Sequence, residues 1–97
     1  MLCPTPMALL TDPQGRPTFL WDCDLTWEAL RERLASPDPE VRGYWLGTVM
    51  RQAKPDDALQ LASAADMRAL WPQVAPYLGA KRAFWAWYLE ATRVRGL

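Results

Sequence analysis

The chain has no histidine. It therefore lacks both the imidazole that most often activates a serine or cysteine nucleophile and the commonest metal ligand. Cysteine is nearly absent too. Cys3 and Cys23 stand at a spacing that suits no metal knuckle, and with no signal peptide we read both as reduced thiols in a cytoplasmic protein. No apolar run approaches the roughly 18–20 residues of a membrane span. Net charge is also missing: 11 basic residues balance 11 acidic ones, whereas a duplex-DNA binder shows a basic excess.

What the chain has in quantity is large aromatic surface. Its 97 residues are 51% hydrophobic, with six Trp, three Tyr and two Phe. A chain of this length makes one domain and buries only about 60–65% of the surface it exposes when unfolded. Aromatics at roughly 150–250 Å² each are an economical way to build such a core, and some are left over for a partner. The charges are polarised. Met1–Asp66 holds 6 basic against 10 acidic residues, a balance of −4, and Met67–Leu97 holds 5 basic against 1 acidic, a balance of +4. Such a split suits a protein partner or packing of the two halves on each other.

The spacing predicts a mainly α fold: a small bundle of about four to five helices over residues 26–97, preceded by an extended arm or short β-hairpin over 1–25. Asp12-Pro13-Gln14-Gly15 matches a type I turn, and Pro17 confines any strand after it to an edge. Thr26 is the expected N-cap of the first helix, with Leu25 and Leu30 at the spacing of a hydrophobic staple and Trp27, Leu30 and Leu34 on one face. Asp38-Pro39-Glu40 reads as a fresh helix start after the break at Ser36-Pro37. Val41, Trp45, Val49 and Ala53 form its seam, widened by Leu46 and Met50. Gly43 and Gly47 share an adjacent strip, where a close backbone approach is expected to compensate about 1 kcal/mol each against Ala. Lys54-Pro55 ends that helix, a helical turn or two follows over 56–62, and Ser63-Ala-Ala-Asp66 resembles a capping box. Pro72 and Pro76 break the next segment into short helices, with Gly79 as a C-cap. The last helix, expected over about Lys81–Arg95, is apolar on two sides. Phe84, Trp87, Tyr88 and Ala91 make one face, and Trp85 with Leu89 makes another about 100° away.

Two stretches, and the layout of the chain as a whole, resemble known families. Leu34–Arg42 resembles the corner of a HEAT-type helical hairpin, in which Asp-Pro-Glu-Val-Arg opens the second helix. There is one copy of that motif, so it implies the hairpin and no solenoid. Arg42 is expected to pack its stem and pair its head with an acid such as Asp38. Phe19–Thr26, an apolar run followed by Asp-x-Asp-x-Thr, resembles motif I of haloacid-dehalogenase-type phosphatases. That resemblance implies Asp22 as nucleophile, Asp24 as general acid/base and a bridging magnesium. The chain is too short for that family's doubly wound sheet, no βαβ alternation follows, and companion motifs reduce to Lys54 and Asp56-Asp57, so a helix entrance is the reading we favour. Finally, Phe19–Asp22, Asp38–Arg42, Lys54–Asp57, Leu70–Pro72 and Phe84–Trp85 together resemble small bacterial antitoxin-like proteins encoded beside AbiEii-type nucleotidyltransferase toxins. This implies a cytosolic, non-enzymatic partner of a co-encoded protein, needing no cofactor or metal.

The expectation is therefore a non-enzymatic protein-interaction module, probing a partner through Phe19, Trp21, Asp22, Asp24, Trp85, Arg93 and Arg95, or associating with itself. The alternative is a single-strand nucleic-acid binder, since Lys81, Arg82, Arg93 and Arg95 interleave with the aromatics of the last helix. A magnesium-dependent phosphatase at Asp22 and Asp24 is the remote one.

Overall fold

Capping chemistry decides where the helices begin. In the computed structural model, which describes residues 4–20 and 23–93, the Thr26 hydroxyl accepts the Ala29 amide at 3.2 Å and opens α2 (Trp27–Leu34). The Asp38 carboxylate accepts the Glu40 amide at 3.0 Å and opens α3 (Pro39–Gln52), with Pro39 in its first turn. Pro55 likewise starts α4 (Pro55–Leu61), and Ser63 accepts the Asp66 amide at 3.1 Å to start α5 (Ala64–Ala69). Thr26, Asp38 and Ser63 are caps the sequence predicts, because each satisfies an amide that a first turn leaves without a partner, whereas Pro55, expected as a stop, opens α4 with no side-chain cap. Pro72 and Pro76 then chop the chain into a four-residue helix, here α6 (Trp71–Val74), and a 3₁₀ turn (Ala75–Tyr77). Gly79, at φ +54°, turns the chain into a second 3₁₀ turn (Gly79–Lys81) and the last helix, α7 (Arg82–Arg93). The bundle is mainly α, as expected.

The arm is ordered but irregular. It holds a single helical turn, α1 (Met7–Leu10), one antiparallel bridge between Thr11 and Pro17, and a 3₁₀ turn (Thr18–Leu20), with no strand among the described residues. The hairpin stops at one bridge because the chain turns helical on both sides of it, at Met7–Leu10 and Thr18–Leu20, and Pro17 has no N–H to donate. Side chains then tie the arm to the bundle. Asp57, 4% exposed, accepts both the amide and the hydroxyl of Thr5, at 2.6 and 2.8 Å. Trp27 Nε1 donates to Thr11 Oγ1 at 2.9 Å, and Gln52 Nε2 donates to the Phe19 carbonyl at 3.0 Å.

α3 is the central helix. It packs on α2 around the Ser36–Asp38 corner and on α6 with the 3₁₀ turn behind it. Leu46, Val49, Met50 and Ala53 are buried as the seam predicts, while Val41 and Trp45 are only half-buried. The phase is set by the glycines. A Cβ on Gly43 would overlap the Gln73 side chain and come within 2.9 Å of its carbonyl carbon. On Gly47 it would meet the Tyr77 Cβ and the Val74 carbonyl, both at 3.0 Å. The close approach expected of this strip is there, and it is α6 and the following turn that make it.

Arg42 departs from expectation. The Asp38 carboxylate is already engaged at the α3 cap, and among the described residues Arg42 forms no ion pair. It instead lines a cleft of about 200 Å³ with Leu34, Leu46, Asp66 and Leu70. No helix among the described residues is long and apolar enough to cross a membrane.

Candidate interaction surface

α7 is attached along one side only. Trp85, Leu89 and Thr92, at helical spacing, are 0%, 5% and 8% exposed. Trp85 Nε1 donates to the Met50 carbonyl at 2.9 Å, and Lys81 Nζ donates to the Arg51 carbonyl at 3.2 Å. Both acceptors belong to the last turn of α3, where carbonyls have no partner within the helix. The start of α7 thus supplies donors that the end of α3 needs. Farther along, Arg68 of α5 donates from Nε to the Leu89 carbonyl and from Nη2 to Thr92 Oγ1, both at 3.0 Å. Thr92 passes its own proton back to the Tyr88 carbonyl at 2.8 Å. A guanidinium among the last carbonyls of a helix is also well placed for the macrodipole.

The other side of α7 faces outward. Trp87 is 64% exposed and Phe84 36%, with Tyr88 half-buried beside them and Ala91 exposed. The Phe84 and Tyr88 rings lie near-parallel at 22° with centroids 6.0 Å apart, and the Trp87 ring tilts by 47° against Phe84 at 6.1 Å. Ala83, next to Trp87 on the wheel, is small and exposed, whereas Ala86 lies on the other flank in a cleft with Arg68, Trp71 and Leu89. Glu90, the acid on this helix, is paired with Arg93 at 2.7 Å. Elsewhere, Tyr44 and Tyr77 form an exposed edge-to-face pair at 5.0 Å over the α3 crossing, and Met7 and Leu9 are exposed on the arm.

The residues expected to face a partner are scattered. Phe19 is half-buried edge-on against Trp27, with centroids 5.6 Å apart. Asp24 is exposed and tied to Arg16 at 3.0 Å. Arg16 in turn holds Asp12, whose carboxylate also accepts the backbone amides of Arg16 and Gln14 at 2.8 and 3.0 Å. The Arg16 amide is the main reason the Asp12 pKa lies below its ordinary 3.8, outweighing partial desolvation, with the Arg16 side chain adding to it. Trp21, Asp22 and Arg95 lie outside the described residues. So the Asp22–Asp24 pair of the phosphatase resemblance is described only at Asp24, an arginine-bound surface carboxylate. Among the described residues no three His, Cys, Asp or Glu side chains converge.

Trp85 has no exposed surface to offer, which corrects its expected role as a partner anchor: its ring is core and its N–H is spent on Met50. Arg93 does lie on the surface, at the end of the same helix. The structure brings Phe19 and Trp85 to one place, the last turn of α3, but from the inside. The rings left outward on α7 are Trp87 and part of Phe84, while Tyr88 packs at the edge of the core with its ring edge-on to Trp85 at 5.7 Å. The signal for them was the two-sided apolar wheel of this helix. Asp57 gave no signal at all, because its partner Thr5 is 52 positions away. Comparison with protein-family models, curated proteins and solved structures finds no match.

Proposed function

We propose that this chain is a non-enzymatic protein-interaction module and that the outer face of α7 is where it meets its partner. The observation that carries the reading is Trp87, exposed over most of its surface beside Phe84 and Tyr88 on a helix whose inner face is pinned by hydrogen bonds. Aromatic clusters held rigidly in water are costly to solvate, and Trp and Tyr are the residues most enriched where binding energy concentrates. The resemblance to antitoxin-like proteins supplies the partner's class: a co-encoded nucleotidyltransferase-type protein that the module restrains. Co-expression with the product of the adjacent gene tests this. The two are expected to co-purify, and Trp87→Ala is expected to weaken the complex at least tenfold; a chain that never retains its neighbour refutes the proposal.

Single-strand nucleic-acid binding is the second reading, favoured by the presence of the basic residues Lys81, Arg82 and Arg93 on the segment that carries the rings. It requires tight, steeply salt-dependent retention of an oligonucleotide such as dT15. No retention at low salt removes it.

A further inference from the structure

The arm does not pack flush on the bundle. Between it and the helices lies a cavity of about 300 Å³, at the lower end of the volumes that hold small ligands. Three pieces of chain enclose it. α2 contributes Trp27 and Arg31, one turn apart, and α4 contributes Asp57, Gln60 and Leu61, also within one turn. The arm closes the space with Thr5, Met7 and Leu10, and Phe19 adds a ring set edge-on to Trp27 at 5.6 Å. Most of the wall is therefore apolar, which favours an organic occupant over water.

Two residues of opposite charge line this cavity and do not pair with each other. Asp57 is 4% exposed, and it accepts from the amide and hydroxyl of Thr5, both uncharged. A carboxylate offers about four acceptor sites, so about half of them stay open. Buried carboxylates are ordinarily matched by a cation, yet among the described residues Asp57 forms no ion pair. Arg31 forms none either. Its guanidinium lies over the Trp27 ring, 5.4 Å from the centroid, and Glu28 one turn back on α2 is not bound to it. The indole face orients that cation without neutralising it.

We infer that this cavity is a binding site for a free apolar α-amino acid, with its ammonium on Asp57, its carboxylate on Arg31 and its side chain against Met7, Leu10 and Leu61. A simple organic acid would leave Asp57 unmatched, and a simple amine would leave Arg31 unmatched. A zwitterion answers both. Because the arm forms one wall and Thr5 is bonded to Asp57, an occupied cavity also holds the arm on the bundle. No residue of α7 is among those that line the cavity, so the inference goes beyond the interaction-module reading and stands or falls separately from it.

The test titrates L-leucine and L-phenylalanine into the full chain while following the Trp27 indole N–H and the Gln60 side-chain amide by NMR. Both resonances are expected to shift and saturate, with a dissociation constant of about 0.1–1 mM. N-acetyl-L-leucine, which lacks the ammonium, and L-leucinamide, which lacks the carboxylate, should each bind at least tenfold more weakly. Arg31→Met should weaken L-leucine at least tenfold and leave L-leucinamide unchanged, a pattern that loss of the fold would not give. Leu10→Trp, which fills the cavity from the arm, should abolish the shifts while the amide spectrum of the helices is retained. No shift at about 20 mM amino acid, equal binding of the acetylated ligand, or indifference to Arg31→Met overturns the inference. So do shifts that survive Leu10→Trp, because they place the amino acid elsewhere on the chain.

Discussion

Trp85 and Trp87 stand two positions apart on one helix and do opposite things. Trp85 has no exposed surface, and its indole N–H completes the last turn of α3. Trp87 keeps 64% of its surface in water and meets the Phe84 ring of its own helix. Two residues are about 200° of helical turn, enough to carry one side chain into the core and leave the next outside. The inner face of α7 is therefore a piece of the fold, dry and hydrogen-bonded, and the outer face is surplus to it. The lesson is that aromatic content in a small protein is no measure of its core. Phase decides, and phase is fixed here by which side of α7 supplies the donors that α3 lacks.

If that comparison is right, damage should be large on the inner side and small on the outer. Trp85→Ala is expected to cost about 3–5 kcal/mol in urea unfolding, from the cavity and from the Met50 carbonyl left without a donor. Trp85→Phe, which retains a ring but loses the N–H, should cost less, about 1–3 kcal/mol. A smaller loss for Trp85→Ala than for Trp87→Ala would invert the assignment of faces.

Gly43→Ala comes next. Helix propensity favours the alanine by about 1 kcal/mol, yet its Cβ has no room against Gln73. A net loss of roughly 1–3 kcal/mol is expected, with Gly47→Ala milder because its closest approaches are 3.0 Å. A stabilised Gly43→Ala chain would mean that α3 and α6 do not cross as described.

The caps and this glycine strip were legible in the sequence because their causes are local. Thr26, Asp38-Pro39 and Ser63 each act within three residues, and two glycines four apart advertise a close contact without naming it. The identity of the contacting side, Gln73 and Tyr77, was not legible, since it depends on how Pro72 and Pro76 fold the intervening chain. The same limit applied to α7. Its two apolar faces could be read from the wheel, but choosing the inward one required knowing that Met50 and Arg51 end their helix beside it. Hence Trp85 was read as a partner residue while Trp87 was not singled out. Arg42 was paired with Asp38 on proximity along the helix, but in the fold its side chain lies in the cleft lined by Leu34, Leu46, Asp66 and Leu70.

Arg68→Met should loosen the far end of α7 by about 1–2 kcal/mol through loss of the bonds to Leu89 and Thr92. Faster amide exchange confined to α7, with α3 unchanged, is the expected signature; uniform acceleration would mean that the latch supports the whole fold. The smallest effect concerns the arm and not α7. Because the folded Asp12 pKa is depressed below 3.8, its contribution is fully present above that value and is lost as pH falls from there through the lower folded pKa. Protection of the Gln14 and Arg16 amides, taken relative to the unstructured exchange rate at the same pH, should therefore fall on acidification below about pH 4 before either face of α7 responds. Asp12→Asn should remove that dependence.

The central claim is that the outer face of α7 serves a partner and not the fold. The most direct test pairs two readings on one variant, Trp87→Ala: its unfolding free energy and its affinity for the co-encoded protein. The expected result is stability within about 0.5 kcal/mol of the parent chain together with binding weakened at least tenfold. A stability loss comparable to that of Trp85→Ala, or binding left unchanged, would contradict it.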